Sequence, residues 1–247
     1  MPSHSLDVLA RLAPQVPAPL VERAAAWTSR SVPVEPDRAA SVVLLRETGA
    51  GLETFLLHRH ARMVFAPSMV VFPGGRVDPV DRVDPVRPEP VEGPESGAST
   101  SSARMMSSEL VRCAVRETEE ETGVRLAPDA LLPWAHWVTP ELEPRRYDTF
   151  FYLAALPADQ QADDRSGETD HAAWSTPAAA FADAQAGRIG LMPPTLSILL
   201  ELAELGSLPA VREAAADRVI ERVLPRLVRD GDGWRFAYPR VGGPEGG

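Results

Sequence analysis

Residues 116–124 read Arg116-Glu117-Thr118-Glu119-Glu120-Glu121-Thr122-Gly123-Val124, and they set acidic side chains where a helix tolerates them least. Upstream, Ser107 or Ser108 can cap a helix that carries Glu109 in its first turn. Glu117, Glu120 and Glu121 then stand at i, i+3 and i+4 and project from one face. Gly123 supplies a left-handed stop, which puts Glu120 and Glu121 in the final turn, at the negative end of the helix macrodipole. At an effective dielectric of roughly 20, two carboxylates ~4 Å apart repel by about 4 kcal/mol. A hard divalent cation reverses the sign of this liability, because clustered carboxylate oxygens are the ligands that Mg²⁺ or Mn²⁺ takes. A solvated acidic face is the plainer reading of an isolated Glu-x-x-Glu-Glu. The flanking Arg116 and Gly123 argue against it here.

At 247 residues the chain can bury one substantial core with additions, or two small ones. Its 44% apolar and 24% charged residues describe an ordinary globular protein. A net charge of −10 speaks against a nucleic-acid surface or a polybasic membrane contact. A phosphorylated small substrate then needs a metal or a local arginine cluster to meet it. Cys113 is the single cysteine, so an intramolecular disulfide is excluded, and a reducing compartment fits. Within the acidic helix it reads as a small buried apolar side chain. The opening residues show no basic region followed by an apolar stretch, and no apolar run reaches the length of a membrane span. The expectation is a cytoplasmic protein.

Residues 1–38 are rich in Pro and Ala and read as an N-terminal extension with one short helix over 19–27. Residues 40–46 and 53–60, separated by Thr48-Gly49-Ala50-Gly51, predict a β-hairpin. A short strand over 69–72 stops at Pro73-Gly74-Gly75. Over 80–104 the chain has almost no large apolar residue, only Asp/Glu-Pro units and then Gly-Ala-Ser-Thr-Ser-Ser, so it reads as an inserted mobile surface loop. Strands follow at 131–138, 147–156 and 168–174, and proline-led helices at 177–186 and from Pro193. Leu196, Leu199, Leu200 and Ala203 recur at helical spacing and are core contacts. A last helix is expected over 209–223, with Arg212, Glu213, Asp217 and Arg218 on its polar face. The division is an extension (1–38), a main domain (39–206) and a helical extension with tail (207–247).

With Gly75 upstream, residues 116–124 match the second half of the signature of the Nudix hydrolases, and the chain resembles that family. Thr118 sits where an aliphatic residue is usual. Phe65-Ala66-Pro67-Ser68, the run from Val71 through Gly74-Gly75 to Asp78, Pro144-Arg145-Arg146-Tyr147-Asp148, Glu168 with Trp174, and Leu191-Met192-Pro193-Pro194-Thr195 resemble the branch that holds the mammalian peroxisomal coenzyme A diphosphatases and their bacterial relatives. These markers spread over residues 40–205. One departure stands out. The short signature has a glutamate six positions after its glycine and eight before its arginine, but residues 76–115 intervene here. Asp81 meets the first count, Ser108 occupies the second, and Glu109 misses it by one.

The resemblance implies a Nudix-type α/β/α sandwich with a mixed β-sheet, plus C-terminal helices, and the acidic helix held under a glycine-containing loop. It implies hydrolysis of a nucleoside diphosphate linked to another moiety, with coenzyme A or acyl-CoA first. An ADP-ribose or dinucleotide pyrophosphatase is the alternative, and a catalytically silent nucleotide-binding module is the alternative of another class. Glu117, Glu120 and Glu121 would hold Mg²⁺ or Mn²⁺, and one of them, or Glu168, would take the proton of the attacking water. Arg116 would orient a neighbouring carboxylate, while Gly74, Gly75 and Gly123 would supply backbone geometry. Arg145 and Arg146 lead as ligands of the substrate phosphates, followed by Arg59 and Arg76; plain surface solvation is the competing reading. Asp148 would orient Arg146 or cap a turn. His58, His60, His136 and His171 lack metal-ligand spacing, Trp134 and Trp137 read as core, and Glu119 points away. The partner is a small molecule rather than a nucleic acid or a membrane, and the sequence leaves the oligomeric state open.

Overall fold

The computed structural model describes residues 9, 16–28, 30–62, 68–82, 107–165, 167 and 169–238, with the backbone of 240–241. Most of the 80–104 insertion, the Phe65-Ala66-Pro67 marker and Glu168 lie outside the described residues. A short helix α1 (Ala18–Ala26) precedes the hairpin of β1 (Asp37–Thr48) and β2 (Gly51–Arg59), in which Thr48 pairs with Gly51 across Gly49-Ala50. Next come β3 (Met69–Val71), β4 (Gly74–Arg76), a 3₁₀ turn (Pro79–Arg82) and the acidic helix α2 (Ser108–Thr122). Strands β5 (Leu132–Val138), β6 (Tyr147–Ala155) and β7 (Thr169–Ser175) lead to helix α3 (Pro177–Gln185) and strand β8 (Gly190–Leu191). After helices α4 (Pro193–Leu205) and α5 (Leu208–Ala216), strands β9 (Arg222–Val223), β10 (Arg226–Asp230), β11 (Gly233–Ala237) and β12 (Arg240–Val241) complete the chain.

Strand β1 organises the molecule. It runs parallel to β6, from Asp37 opposite Tyr147 to Leu45 opposite Ala155, and antiparallel to β2 and β4. Residues Ala39 to Leu45 are all buried and, Ser41 apart, all apolar, which is what a strand covered on both faces requires. Val43 and Leu45 face a cluster with Leu196, Ile198, Leu199 and Leu202 of α4. Ala40, Val42 and Leu44 face the opposite cluster with Leu110, Cys113 and Ala114 of α2. The result is a mixed ten-stranded sheet between two helical layers, the α/β/α arrangement that the resemblance implied. Trp134, Trp137 and Cys113 are core residues, and burial pushes the Cys113 thiol up to about 12. Among the described residues no single helix is long and apolar enough to cross a membrane.

The helix expected over 209–223 is corrected: α5 ends at Ala216, and residues 222–223 instead join the sheet parallel to β5, with β12 beside them. Arg218, assigned from sequence to the polar face of that helix, explains the break. Its guanidinium lies 3.8 Å over the Trp134 ring, its Nε donates to the Trp134 carbonyl at 2.6 Å, and its Nη2 pairs with Glu201 at 2.6 Å. Those inward contacts turn the chain off the helical path and onto the sheet edge.

Candidate active site

Helix α2 packs over β1 and β4, and two glycines bring it close. Gly74 lies in the left-handed half of backbone space (φ 156°), and a Cβ there would stand 2.5 Å from the Ala40 carbonyl oxygen. Its N–H donates to Glu121 Oε2 at 2.8 Å, tying the loop to the last turn of the helix. At Gly75 an added Cβ would come within 2.3 Å of the Glu117 carboxylate, so the missing side chain is the space that Glu117 occupies. Burial raises the Glu117 carboxyl above the usual carboxylate range, although the adjacent Arg116 pulls the other way.

Backbone N–H groups meet three of the last four carbonyls of the helix, those of Glu119, Glu121 and Thr122, at its acidic end. Gly123, at φ 74°, donates its N–H to the Glu119 carbonyl at 2.8 Å. The loop after β6 returns over the same end, with the Asp163 N–H on the Thr122 carbonyl (3.0 Å) and the Arg165 N–H on the Glu121 carbonyl (2.9 Å). Thr118, at the position where an aliphatic residue is usual, is fully buried and donates its hydroxyl to the Ala114 carbonyl at 2.7 Å, so the departure leaves no orphan. Ser107 stands at the helix N-cap position without a capping bond; Arg38 donates to its hydroxyl instead.

Arg116 links the site together. It forks onto Asp81, Nε to Oδ1 at 3.0 Å and Nη2 to Oδ2 at 2.7 Å, while Nη1 donates to Glu117 at 2.8 Å and Glu120 at 3.1 Å. Asp81 is 2% exposed and also accepts the Asp78 N–H. Burial opposes its ionisation, yet the Arg116 hydrogen bonds and the Asp78 N–H carry its carboxyl below the ordinary value. The expected orienting role of Arg116 is therefore what its geometry provides, and its counter-anion is the residue six positions after Gly75. Glu120 is the most open of the three carboxylates, its side chain 58% exposed, and Glu119 turns away to pair with Arg125.

Arg145 and Arg146, which led the arginines proposed for the phosphates, sit elsewhere. Arg146 is buried, donates Nε to the Thr139 carbonyl (3.1 Å) and Nη1 to the Val34 carbonyl (2.6 Å), and accepts at its own carbonyl from Asp37 N–H. That is a structural role, and it corrects the phosphate assignment. It lies at the start of β1, level with the N-terminal end of α2, where Arg38 meets Ser107 and Glu109. Glu120 and Glu121 are at the other end, about 18 Å along a helix rising ~1.5 Å per residue. Arg145, its exposed neighbour, shares that distant position. Asp148 accepts from His136 rather than from Arg146, which corrects the pairing expected of it. Arg76 is exposed and faces Asp37 and Asp78 at 3.8 Å, while its carbonyl accepts from Arg116. Arg59 closes β2 opposite Thr169. His58 stacks on His171 across β2 and β7, and His60 bonds Asp170, so none of these histidines faces α2 as a ligand.

Two residues of the site escaped the sequence reading. Asp81 was in view only as a spacing match, and its union with Arg116 becomes visible once the 3₁₀ turn is placed beside α2. Arg165 had no motif around it at all; only the fold brings its loop to Gly123.

Comparison with known proteins agrees with this architecture. The NUDIX domain family matches residues 35–193, and the chain belongs to that family as a Nudix hydrolase. It is 27% identical to the acyl-coenzyme A diphosphatase NUDT19 of Gallus gallus, over 76% of this chain and 71% of that protein. Against the acyl-coenzyme A diphosphatase NUDT19 of Xenopus laevis it is 27% identical over 44% of this chain, which spans 31% of that relative. Among solved structures, a NUDIX hydrolase from Alicyclobacillus acidocaldarius superposes with a TM-score of 0.57 at 22% identity, covering 74% of this chain and 96% of the other.

Members of the family use a divalent ion. The donors here fit one in kind: three hard carboxylates on one helical face, one anchored by a backbone N–H and one desolvated in a glycine-lined gap. Among the described residues no three acidic, histidine or cysteine side chains converge on a single point, because Glu117 and Glu120 are turned onto Arg116.

Proposed function

We propose that this Nudix hydrolase cleaves the diphosphate linkage of coenzyme A or an acyl-CoA, with Mg²⁺ or Mn²⁺ held by Glu117, Glu120 and Glu121. The single observation that carries the reaction class is the fixing of Glu121 by the Gly74 N–H while Glu117 fills the gap at Gly75. The substrate class leans on the likeness to the chicken acyl-coenzyme A diphosphatase. When bound, the ion would neutralise diphosphate charge and lower the pKa of a coordinated water. The chain's own residues do the positioning. Asp81 holds the Arg116 fork, and Arg116 in turn presents Glu117 and Glu120 along the helix face. Glu168, immediately before β7, stays the candidate to accept the water's proton alongside the helix carboxylates.

The test is a product assay over CoA, acetyl-CoA, ADP-ribose and diadenosine tetraphosphate, with Mg²⁺, with Mn²⁺ and with chelator. Expected are 3′-phosphoadenosine 5′-phosphate together with 4′-phosphopantetheine or its acyl form, and no turnover under chelation. Glu121→Gln keeps an acceptor for the Gly74 N–H, so the fold should hold while turnover falls by roughly 10²-fold or more. ADP-ribose cleaved in preference to CoA would move the reading to a pyrophosphatase. Nucleotide binding without any turnover would make the chain a silent module.

A further inference from the structure

We infer that Gln160 is a positioning residue that fixes the last turn of α2, and with it Glu121; this rests on the functional reading just given and deepens it. Gln160 belongs to the strap between β6 and β7. The strap leaves the sheet at Leu156, whose N–H donates to the Leu45 carbonyl at 2.7 Å, and at its far end Asp164 accepts from the Thr169 hydroxyl where β7 begins. Between these pins it crosses the end of α2. The Asp163 and Arg165 N–H groups take the Thr122 and Glu121 carbonyls, which a helix end otherwise leaves without a helical partner. Just past the Gly123 stop, the Gln160 side chain meets the backbone of Arg125 in both directions. Its Oε1 accepts the Arg125 N–H at 2.7 Å, and its Nε2 donates to the Arg125 carbonyl at 3.0 Å. The amide thus does for residue 125 what a neighbouring strand would do. Asparagine is one methylene shorter, and an ionised glutamate lacks the donor.

Glu121 is held from two sides. Its carboxylate takes the Gly74 N–H at 2.8 Å, and its carbonyl takes the strap at 2.9 Å. Val124, next before Arg125, is fully buried, and its N–H rests on the Thr122 hydroxyl. Ala162 of the strap packs against the same core cluster that buries Val124. Residues 121–125 are therefore pinned in turn to the Gly74 loop, the core and the strap. The bonds of Asp163 and Arg165 are made by backbone, so a change of side chain leaves them in place. Gln160 is the side chain that clips the strap to the segment leaving the helix. Its two bonds are exposed, so water can replace them at modest cost to the fold. What they restrict is the play of the last helical turn, which would otherwise fray. A displacement of about 1 Å at a catalytic group can cost on the order of a hundredfold in rate.

A plain staple between strap and helix would lower stability and leave the carboxylates where they stand. Gln160→Met keeps the length of the side chain and removes both bonds, while Gln160→Glu keeps the acceptor alone. Steady-state kinetics on the diphosphate that the parent chain cleaves, Mn²⁺ titration followed by electron paramagnetic resonance, amide deuterium exchange and thermal melts separate the two roles. Expected for Gln160→Met is a kcat about tenfold lower with KM within about twofold of the parent, and Mn²⁺ binding weaker by a similar factor of about ten. The amides of residues 121–125 should exchange faster, with a melting temperature within a few degrees of the parent. Gln160→Glu should fall between the two. A kcat and a Mn²⁺ affinity within about twofold of the parent, in a parent that turns substrate over, overturn this inference alone, and a lower melting temperature beside them marks the plain staple. A parent chain that cleaves none of the diphosphates overturns the functional reading, and this one with it.

Discussion

Two adjacent glycines serve different purposes, and the difference can be read in two substitutions. Gly74→Ala forces a Cβ into the backbone of β1, 2.5 Å from the Ala40 carbonyl oxygen and 2.6 Å from Ser41 Cα, at a φ of 156° that side chains rarely adopt. Neither obstacle can move without parting β4 from β1, so we expect a loss of about 2 kcal/mol or more. At Gly75→Ala the nearest atoms are those of the Glu117 carboxylate, the far end of a side chain that can swing aside at less cost to the fold than the backbone of β1. Its penalty falls on the site: the carboxylate leaves its seat, metal affinity and turnover drop, and the melting temperature stays within a few degrees. Parallel melts and Mg²⁺ titrations of the two variants check this. If Gly75→Ala unfolds the protein while keeping the parent's metal affinity, the division of labour is wrong. Gly74 and Gly75 were legible in the sequence as backbone-permissive positions, but the distinction between them was not. It depends on what stands opposite each one, and no local pattern encodes that.

The loop–helix clamp is the element on which the site turns. Asp81 lies in a 3₁₀ turn at the start of the 80–104 segment, and Arg116 lies in the middle of α2, so the pair closes a long excursion of the chain. Asp81→Asn keeps the shape of the side chain but leaves a half-buried guanidinium without its main anion, for a loss of about 2–3 kcal/mol at neutral pH. The pH dependence has a definite sign. The folded-state pKa of Asp81 lies below its unfolded value, so its contribution is complete above the ordinary carboxylate pKa of roughly 3.9 and fades as pH falls through the folded value. The gap in melting temperature between parent and variant should therefore be largest near neutrality and close in acid. A gap that persists unchanged in acid, well below the ordinary carboxylate pKa, would mean that Asp81 acts through shape rather than charge. The helix itself was legible: its serine start, its glycine stop and its three-carboxylate face all stand where the sequence put them. Arg146 was misjudged because a surface-like Pro-Arg-Arg-Tyr run gives no hint that one guanidinium will reach back to the Thr139 and Val34 carbonyls.

At the scale of the whole molecule, the family match ends at residue 193 and the sequence reading closed the main domain at 206, but the packing runs on. Val211 of α5 and Val223 of β9 lie in the same core cluster as Trp134 and Leu199, Ile220 belongs to the cluster on the opposite face of the sheet, and Leu224 is buried as well. Two-residue strands such as β9 leave no periodicity to detect, which is why the sequence suggested a continuous helix there. Burying four such side chains is worth at most about 6–12 kcal/mol on a transfer scale. A protein's whole stability is typically about 5–15 kcal/mol. The Arg218 contacts add to this, since they join Glu201 of α4 to the ring and carbonyl of Trp134 in β5. A chain ended at residue 206 should thus fail to give a cooperative thermal transition, even though it keeps every carboxylate of α2. If that truncated chain instead melts within about 3 °C of the full one and retains its affinity for ADP, the C-terminal part is an appendage, and the sheet beside β5 is stable without it.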